Sequence, residues 1–200
     1  MKKFLTISCI CSFLFGNAQT TTLTYDIIIG GKTLGFVTAT KTEKGNKVVY
    51  TSDSDTEVNL IGTTTIKTRM KTIFEDGILT ESTYKFFKND KLKEEAKVIK
   101  IEKGYLFTHD GETSKIDEPI TASTIMLYFY TPKEGEKIFE EVEGYFKTIT
   151  YQKPNHFFLI DPKSSHKDTY EYKNGLLNYN LVKNTLIDFE MVLQENKIQK

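Results

Sequence analysis

The chain has 200 residues, 27 Lys and Arg against 27 Asp and Glu, and 12% aromatic residues with no Trp. That length suits one domain, or at most two small ones, with a sizeable core. The balanced charge offers no field to gather nucleic acid, and 38% hydrophobic content argues against a disordered chain.

The first eighteen residues differ from the rest. Met1-Lys2-Lys3 is a positive start, Phe4 to Phe15 an apolar run, and Gly16-Asn17-Ala18 a small-residue cleavage site. This is the pattern of a secretory signal peptide, too short for a membrane span. Cleavage is expected after Ala18 or one residue later, leaving residues 19–200 as a single β-rich domain. A lipoprotein signal using Cys9 is the alternative, but only Phe4 to Ser8 separate that cysteine from the lysines. Both cysteines, Cys9 and Cys11, leave with the leader, so the mature chain has no disulfide, thiol chemistry or thiolate metal site. Loss of Lys2 and Lys3 leaves 25 basic against 27 acidic residues. An exported protein is expected, periplasmic or extracellular.

The mature sequence then alternates. TLTYDIII reads as a strand, Gly30-Gly31 as a hairpin turn, and TLGFVTATKT as its partner, with Gly35 marking a bulge or a close backbone approach. Gly45-Asn46 turns into KVVYTSDSDTEV, with Val48, Tyr50 and Ser52 on one face. A bend is expected near Gly62. Ile66, Thr68, Met70, Thr72 and Phe74 alternate with Lys67, Arg69 and Lys71, a half-buried strand. Asp76-Gly77 and Asn89-Asp90 punctuate ILTESTYKFF, with Ile78, Tyr84 and Phe86 inward. KLKEEAKVIKI is helix-favouring in composition but alternates between turns, and it is read as a strand. GYLFTHD, GYFKTITYQ, HFFLID, KDTYEYK, LLNYNLVK and TLIDFEMVLQ complete the series.

One stretch breaks the alternation. Ile120 to Pro132 holds no charge, and Ile125 to Tyr130 is an unbroken run of large apolar and aromatic residues. Such a run needs cover on more than one side. It reads as a short helix starting near Ser123, which can cap it, or as a central strand. The expected fold is all-β and mainly antiparallel: a strongly curved meander sheet or barrel of about 10–12 strands with one short helix or plug near residues 123–130. If the Phe129 ring is buried, its truncation to Ala should cost about 3–5 kcal/mol.

Catalytic patterns are scarce. His109, His156 and His166 show no metal-ligand spacing and read as turn and surface residues. Ser164, Ser165, His166 and Asp168 lie within five residues of one another, whereas a triad draws on separate elements. Glu134, Glu136, Glu140, Glu141 and Glu143, and the pair Asp53 and Asp55, lack the spacing of a calcium loop; the first group reads as a solvated charged link. Neither a metal nor a cofactor is expected.

YDIIIGGKTLG, PITASTIMLYFYTP, a Glu-rich link to EGYF, IDP and TYEYKNGLL together resemble a family of exported Bacteroidetes-type proteins, a domain of unknown function. The resemblance spans nearly the whole mature chain and is distantly like the β-folds of periplasmic lipoprotein carriers. Thr131 stands before Pro132 where the family pattern leads one to expect Glu. The resemblance implies export and one domain, and it carries over no catalytic residue.

Tyrosines and phenylalanines at alternate strand positions either fill the core or wall a cleft for an apolar ligand. The leading expectation is a non-catalytic binding module for an apolar or lipid-like envelope molecule, with Met126, Phe129, Tyr145 and Tyr170 as ligand-binding candidates. The alternative is a structural or protein-interaction component of the envelope with a filled core; a hydrolase or glycan-active enzyme is a third reading. Lys67, Arg69, Lys71, Lys85, Lys93, Glu95 and Lys97 at outward positions argue against an integral membrane barrel.

Overall fold

A computed structural model describes residues 18–59, 63–183 and 188–194. The leader up to Asn17 and the bend expected at Gly62 lie outside the described residues. Among the described residues there are fourteen strands and one short helix. The strands are β1 (Gln19–Ile29), β2 (Lys32–Lys44), β3 (Lys47–Asn59), β4 (Thr63–Glu75), β5 (Ile78–Lys88), β6 (Lys91–Lys100), β7 (Tyr105–His109) and β8 (Glu112–Ile116). After the helix come β9 (Lys137–Glu140), β10 (Tyr145–Lys153), β11 (His156–Ile160), β12 (Lys167–Lys173), β13 (Leu176–Val182) and β14 (Phe189–Leu193). The two strands beyond the expected number are β8 and β9, both too short to show a period.

All fourteen form one antiparallel sheet in the order β8-β7-β6-β5-β4-β3-β2-β1-β14-β13-β12-β11-β10-β9. It is a meander joined through the pairing of β1 with β14, which sets Tyr25 opposite Leu193 and Ile28 opposite Glu190. The two free edges are β8 and β9, so the roll does not close. The turns follow local chemistry. Asp76-Gly77 (φ 52° and 75°) and Asn174-Gly175 (φ 54° and 80°) are left-handed at both central residues, matching the strand twist.

Alternation sets the two faces. Leu23, Tyr25 and Ile27 of β1, Val37 and Ala39 of β2, and Tyr50 of β3 point inward and are buried. β6 is a strand with Ala96 and Val98 inward, so cross-strand burial overrode its helix-favouring composition. Gly35 carries no Cβ because one would sit 2.2 Å from the Asp55 carbonyl oxygen, and the β1–β2 register shifts beside it.

The centre of the chain is a 3-10 helix, Thr124–Tyr128, packed inside the curve. The backbone just before it is tied to two distant strands. Leu79 N–H of β5 donates to Ile120 O (2.9 Å), and Phe139 N–H of β9 donates to Ala122 O (3.0 Å). The segment leading into the helix therefore runs between β5 and β9, and the helix itself packs against β3, β9 and β13.

Candidate functional site

The plug sits where two apolar clusters meet. One, on the C-terminal side, gathers Leu23, Tyr25, Ile27, Ile149, Leu159, Tyr170, Tyr172 and Met191. The other, on the N-terminal side, gathers Tyr50, Phe74, Leu79, Val98, Tyr105, Phe107 and Phe139. Leu127 belongs to the first and Ile125 to the second, while Met126, Tyr128 and Phe129 pack against both. A 3-10 turn distributes its side chains around the axis, so one short helix serves two cores. The Tyr128 ring lies 5.3 Å from Tyr25, and the Phe129 ring 5.7 Å from Tyr50.

Hydroxyls lock the C-terminal side. Tyr172 donates to Leu127 O at 3.1 Å, and Tyr25 donates to Leu177 O at 2.9 Å. Burial raises the Tyr25, Tyr170 and Tyr172 hydroxyls well above the ordinary tyrosine range, and it lifts Tyr50 to about 12. These phenols stay neutral, and those of Tyr25 and Tyr172 donate the two bonds just named.

A single carboxylate serves the N-terminal side. Glu141, 1% exposed, reaches from the β9–β10 turn to the start of the plug. Its Oε2 accepts from the Thr124 hydroxyl (2.5 Å) and the Thr124 N–H (3.2 Å). Its Oε1 accepts from the Ile125 N–H (3.4 Å) and from Thr72 Oγ1 of β4 (3.4 Å). Thr72 and Ser82 hydroxyls lie 2.9 Å apart, extending the network to β5. Burial raises the Glu141 carboxyl to about 7, with the Glu140 charge adding to it and the Thr124 hydroxyl opposing.

Two expectations are corrected here. Ser123 occupies the position before the helix but makes no side-chain capping bond; Glu141 satisfies the Thr124 and Ile125 amides instead. The Glu-rich stretch is not a solvated link. It contains β9, whose Ile138 and Phe139 are fully buried on opposite faces, along with Glu141. The charge count hid a strand buried on both sides.

Three of the four ligand-binding candidates share one region. Tyr170 is buried in the C-terminal cluster, and Met126 and Phe129 lie half-buried against it. Tyr145 stands apart in a polar group. It donates to Asp161 Oδ2 at 2.8 Å, and the Lys163 ammonium sits 3.8 Å from its ring centroid. Lys147 nearby contacts Glu140 (3.1 Å) and Asp161 (3.8 Å). Burial alone would raise Asp161, but the Ser164 and Lys163 amides and the Tyr145 hydroxyl bring it down to about 2.

The histidines occupy separate elements. His109 of β7 faces Glu94 (2.9 Å), His156 of β11 faces Glu171 (3.4 Å), and His166 lies exposed before β12. Asp168 accepts from the Lys183 N–H at 2.8 Å. Among the described residues no three metal-binding side chains come together, and no helix is long and apolar enough to cross a membrane.

The missed residue is Glu141. One signal pointed to it: Glu140 and Glu141 directly follow the apolar Ile138-Phe139 pair. Nothing local showed which carboxylate turned inward.

The family model "Domain of unknown function (DUF6134)" matches residues 25–194. The chain belongs to that family. No curated protein is similar to it. The structure resembles the beta-barrel-like protein of domain of unknown function DUF1849 from Brucella abortus, with TM-score 0.59, 10% identity, and coverage of 87% of this chain and 95% of that one. A DUF1089 family protein from Pseudomonas aeruginosa aligns at TM-score 0.42 and 10% identity, over 88% and 95% of the two chains. The first likeness establishes a shared barrel-like fold for this family member.

Proposed function

We propose that this chain is an exported, non-catalytic binding protein of a Bacteroidetes-type cell envelope, holding an apolar or lipid-like molecule at the plug. The observation that carries this reading is the half-buried row Met126, Tyr128, Phe129 and Tyr130 at the junction of two apolar clusters, inside a roll whose end strands β8 and β9 do not pair. A short 3-10 helix has little stability of its own and keeps its place through tertiary contacts. An apolar ligand would take over those contacts from Met126 and Phe129 as the helix swings, with Tyr170 as the far wall. Tyr145, in its polar group, would lie at the rim. The amino terminus would arise by cleavage near Ala18, in the periplasm or outside the cell.

The test uses the mature chain, residues 19–200. A fluorescent apolar probe, N-phenylnaphthylamine, is expected to bind saturably, with Met126→Ala and Phe129→Ala weakening it. Mass spectrometry of organic extracts of the purified protein should find a stoichiometric lipid. A folded protein that neither binds the probe nor carries lipid overturns the reading.

A second reading has its own support. The space beside Met126 and Phe129 is filled by the chain's own side chains, and two shallow concavities lie on the outer face. A filled core suits a structural or protein-interaction component of the envelope. Crosslinking in cells that recovers only monomer would count against it.

A further inference from the structure

Two shallow concavities share one face of one set of strands. The first, about 400 Å³, is lined by Thr24, Asp26, Gly35, Phe36, Thr38 and Gln194. It opens where the register between β1 and β2 shifts, and where Gly35 leaves no side chain above the Asp55 carbonyl. The second, about 260 Å³, is lined by Lys67, Arg69, Phe87 and Asp90. Strand register joins them in a row: Asp26 pairs with Phe36, Phe36 with Asp55, Asp55 with Lys67, and Lys67 with Phe87. These positions alternate with the buried Tyr25, Val37, Ser54 and Thr72, so they face outward. Phe36 is 48% exposed. Three strand spacings separate the two rings, roughly 14 Å.

Between the rings lies planar polar chemistry. Arg69 donates two hydrogen bonds to the Asp55 carboxylate (3.0 and 3.1 Å) and one to the Ser54 carbonyl (2.7 Å). Such a fork holds its geometry before any ligand arrives. The Gln194 amide donates to Asp26 in the first cleft.

We propose that the outer face of β1–β5 is a saccharide-binding surface, taking a neutral glycan across the strands with Phe36 and Phe87 as platforms for two sugar rings. The C–H face of a pyranose packs on an aromatic ring, and its paired hydroxyls suit carboxylate, amide and guanidinium edges. Each cleft offers one aromatic ring among polar groups, so an acyl chain finds too little apolar wall. The first cleft holds the Asp26 carboxylate, and in the second Lys67 is paired with Asp90 (2.7 Å) and Arg69 with Asp55, so the cations present already have carboxylate partners and a polyanion is disfavoured. This surface is independent of the interior site, since inward and outward residues alternate.

The mature chain is tested on a printed glycan array, followed by calorimetry with the strongest neutral ligand. Binding is expected, with Phe36→Ala and Phe87→Ala each weakening it at least tenfold and the double variant abolishing it. Neither ring is in the core, so the thermal midpoint and the interior-probe titration should stay at wild-type values. Retention of no glycan, retention of anionic glycans alone, or wild-type affinity in the folded double variant overturns the proposal.

Discussion

On the C-terminal side of the plug, Leu23, Tyr25, Ile149, Leu159 and Leu177 form an apolar wall, and tyrosine hydroxyls close it onto backbone carbonyls. On the N-terminal side, the inward positions of β3, β4 and β5 include Ser52, Ser54, Thr72 and Ser82, all buried, with Glu141 as the acceptor that ties Thr72 to the plug. The same helix is thus held by neutral hydrogen bonds and close packing on one side and by a titratable network on the other. Neutral phenols hold their bonds across the physiological range. A buried carboxyl near neutrality changes state within it, so the two walls should respond differently to pH.

The largest effect should come from removing a fully buried ring of the N-terminal cluster. Phe139 is fully buried on β9, and its ring lies 5.4 Å from Phe146. Phe139→Ala should cost about 3–5 kcal/mol, read as a lowered urea midpoint. A loss under about 1 kcal/mol would show that the N-terminal cluster does not depend on β9. Phe129 is only half-buried, so its truncation should cost less than the value expected for a fully buried ring.

The next effect separates the walls directly. Glu141 has a folded value of about 7 against an ordinary 4.5, so the folded chain retains the proton where the unfolded chain has lost it. The stability tied to this proton is complete below about pH 4.5 and is lost as pH rises through about 7. The full loss is about 3 kcal/mol for a shift of that size. Glu141→Gln should flatten this part of the stability–pH curve, measured by urea unfolding at pH 4.5, 6 and 8. An unchanged slope in the variant would mean that Glu141 is ionised throughout. Asp161 has the opposite sign: its lowered value contributes stability that is lost only in strong acid.

The smallest effect belongs to the neutral wall. Tyr172→Phe removes the hydrogen bond to the Leu127 carbonyl and should cost about 1 kcal/mol, equally at pH 4.5 and pH 8. A cost that varied with pH would break the distinction between the two sides.

Much of this architecture was legible in the residues. Asp76-Gly77, Asn89-Asp90 and Asn174-Gly175 marked turns because left-handed backbone favours those residue types. The inward set of β4 followed from strict alternation. The run at 123–130 stood out because it lacked that alternation. β9 was missed because burial on both faces erases period two and leaves four residues amid glutamates. Met126, Phe129 and Tyr170 share one cluster because all three are bulky residues on inward positions, whereas Tyr145 is placed in an ionic group by Asp161 and Lys163, neither of them its neighbour in sequence.

By itself the sequence determined strand-rich character, turn positions and the inward faces of β3 and β4, because these depend on residues a few places apart; register shifts put Leu79 rather than Ile78 inward on β5 and leave Leu92 of β6 exposed. Tertiary structure alone decided that β1 meets β14, that β8 and β9 are the free edges, and that Glu141 turns inward. Those outcomes depend on contacts across many tens of residues. Only the completed roll removes the water that would otherwise solvate that carboxylate.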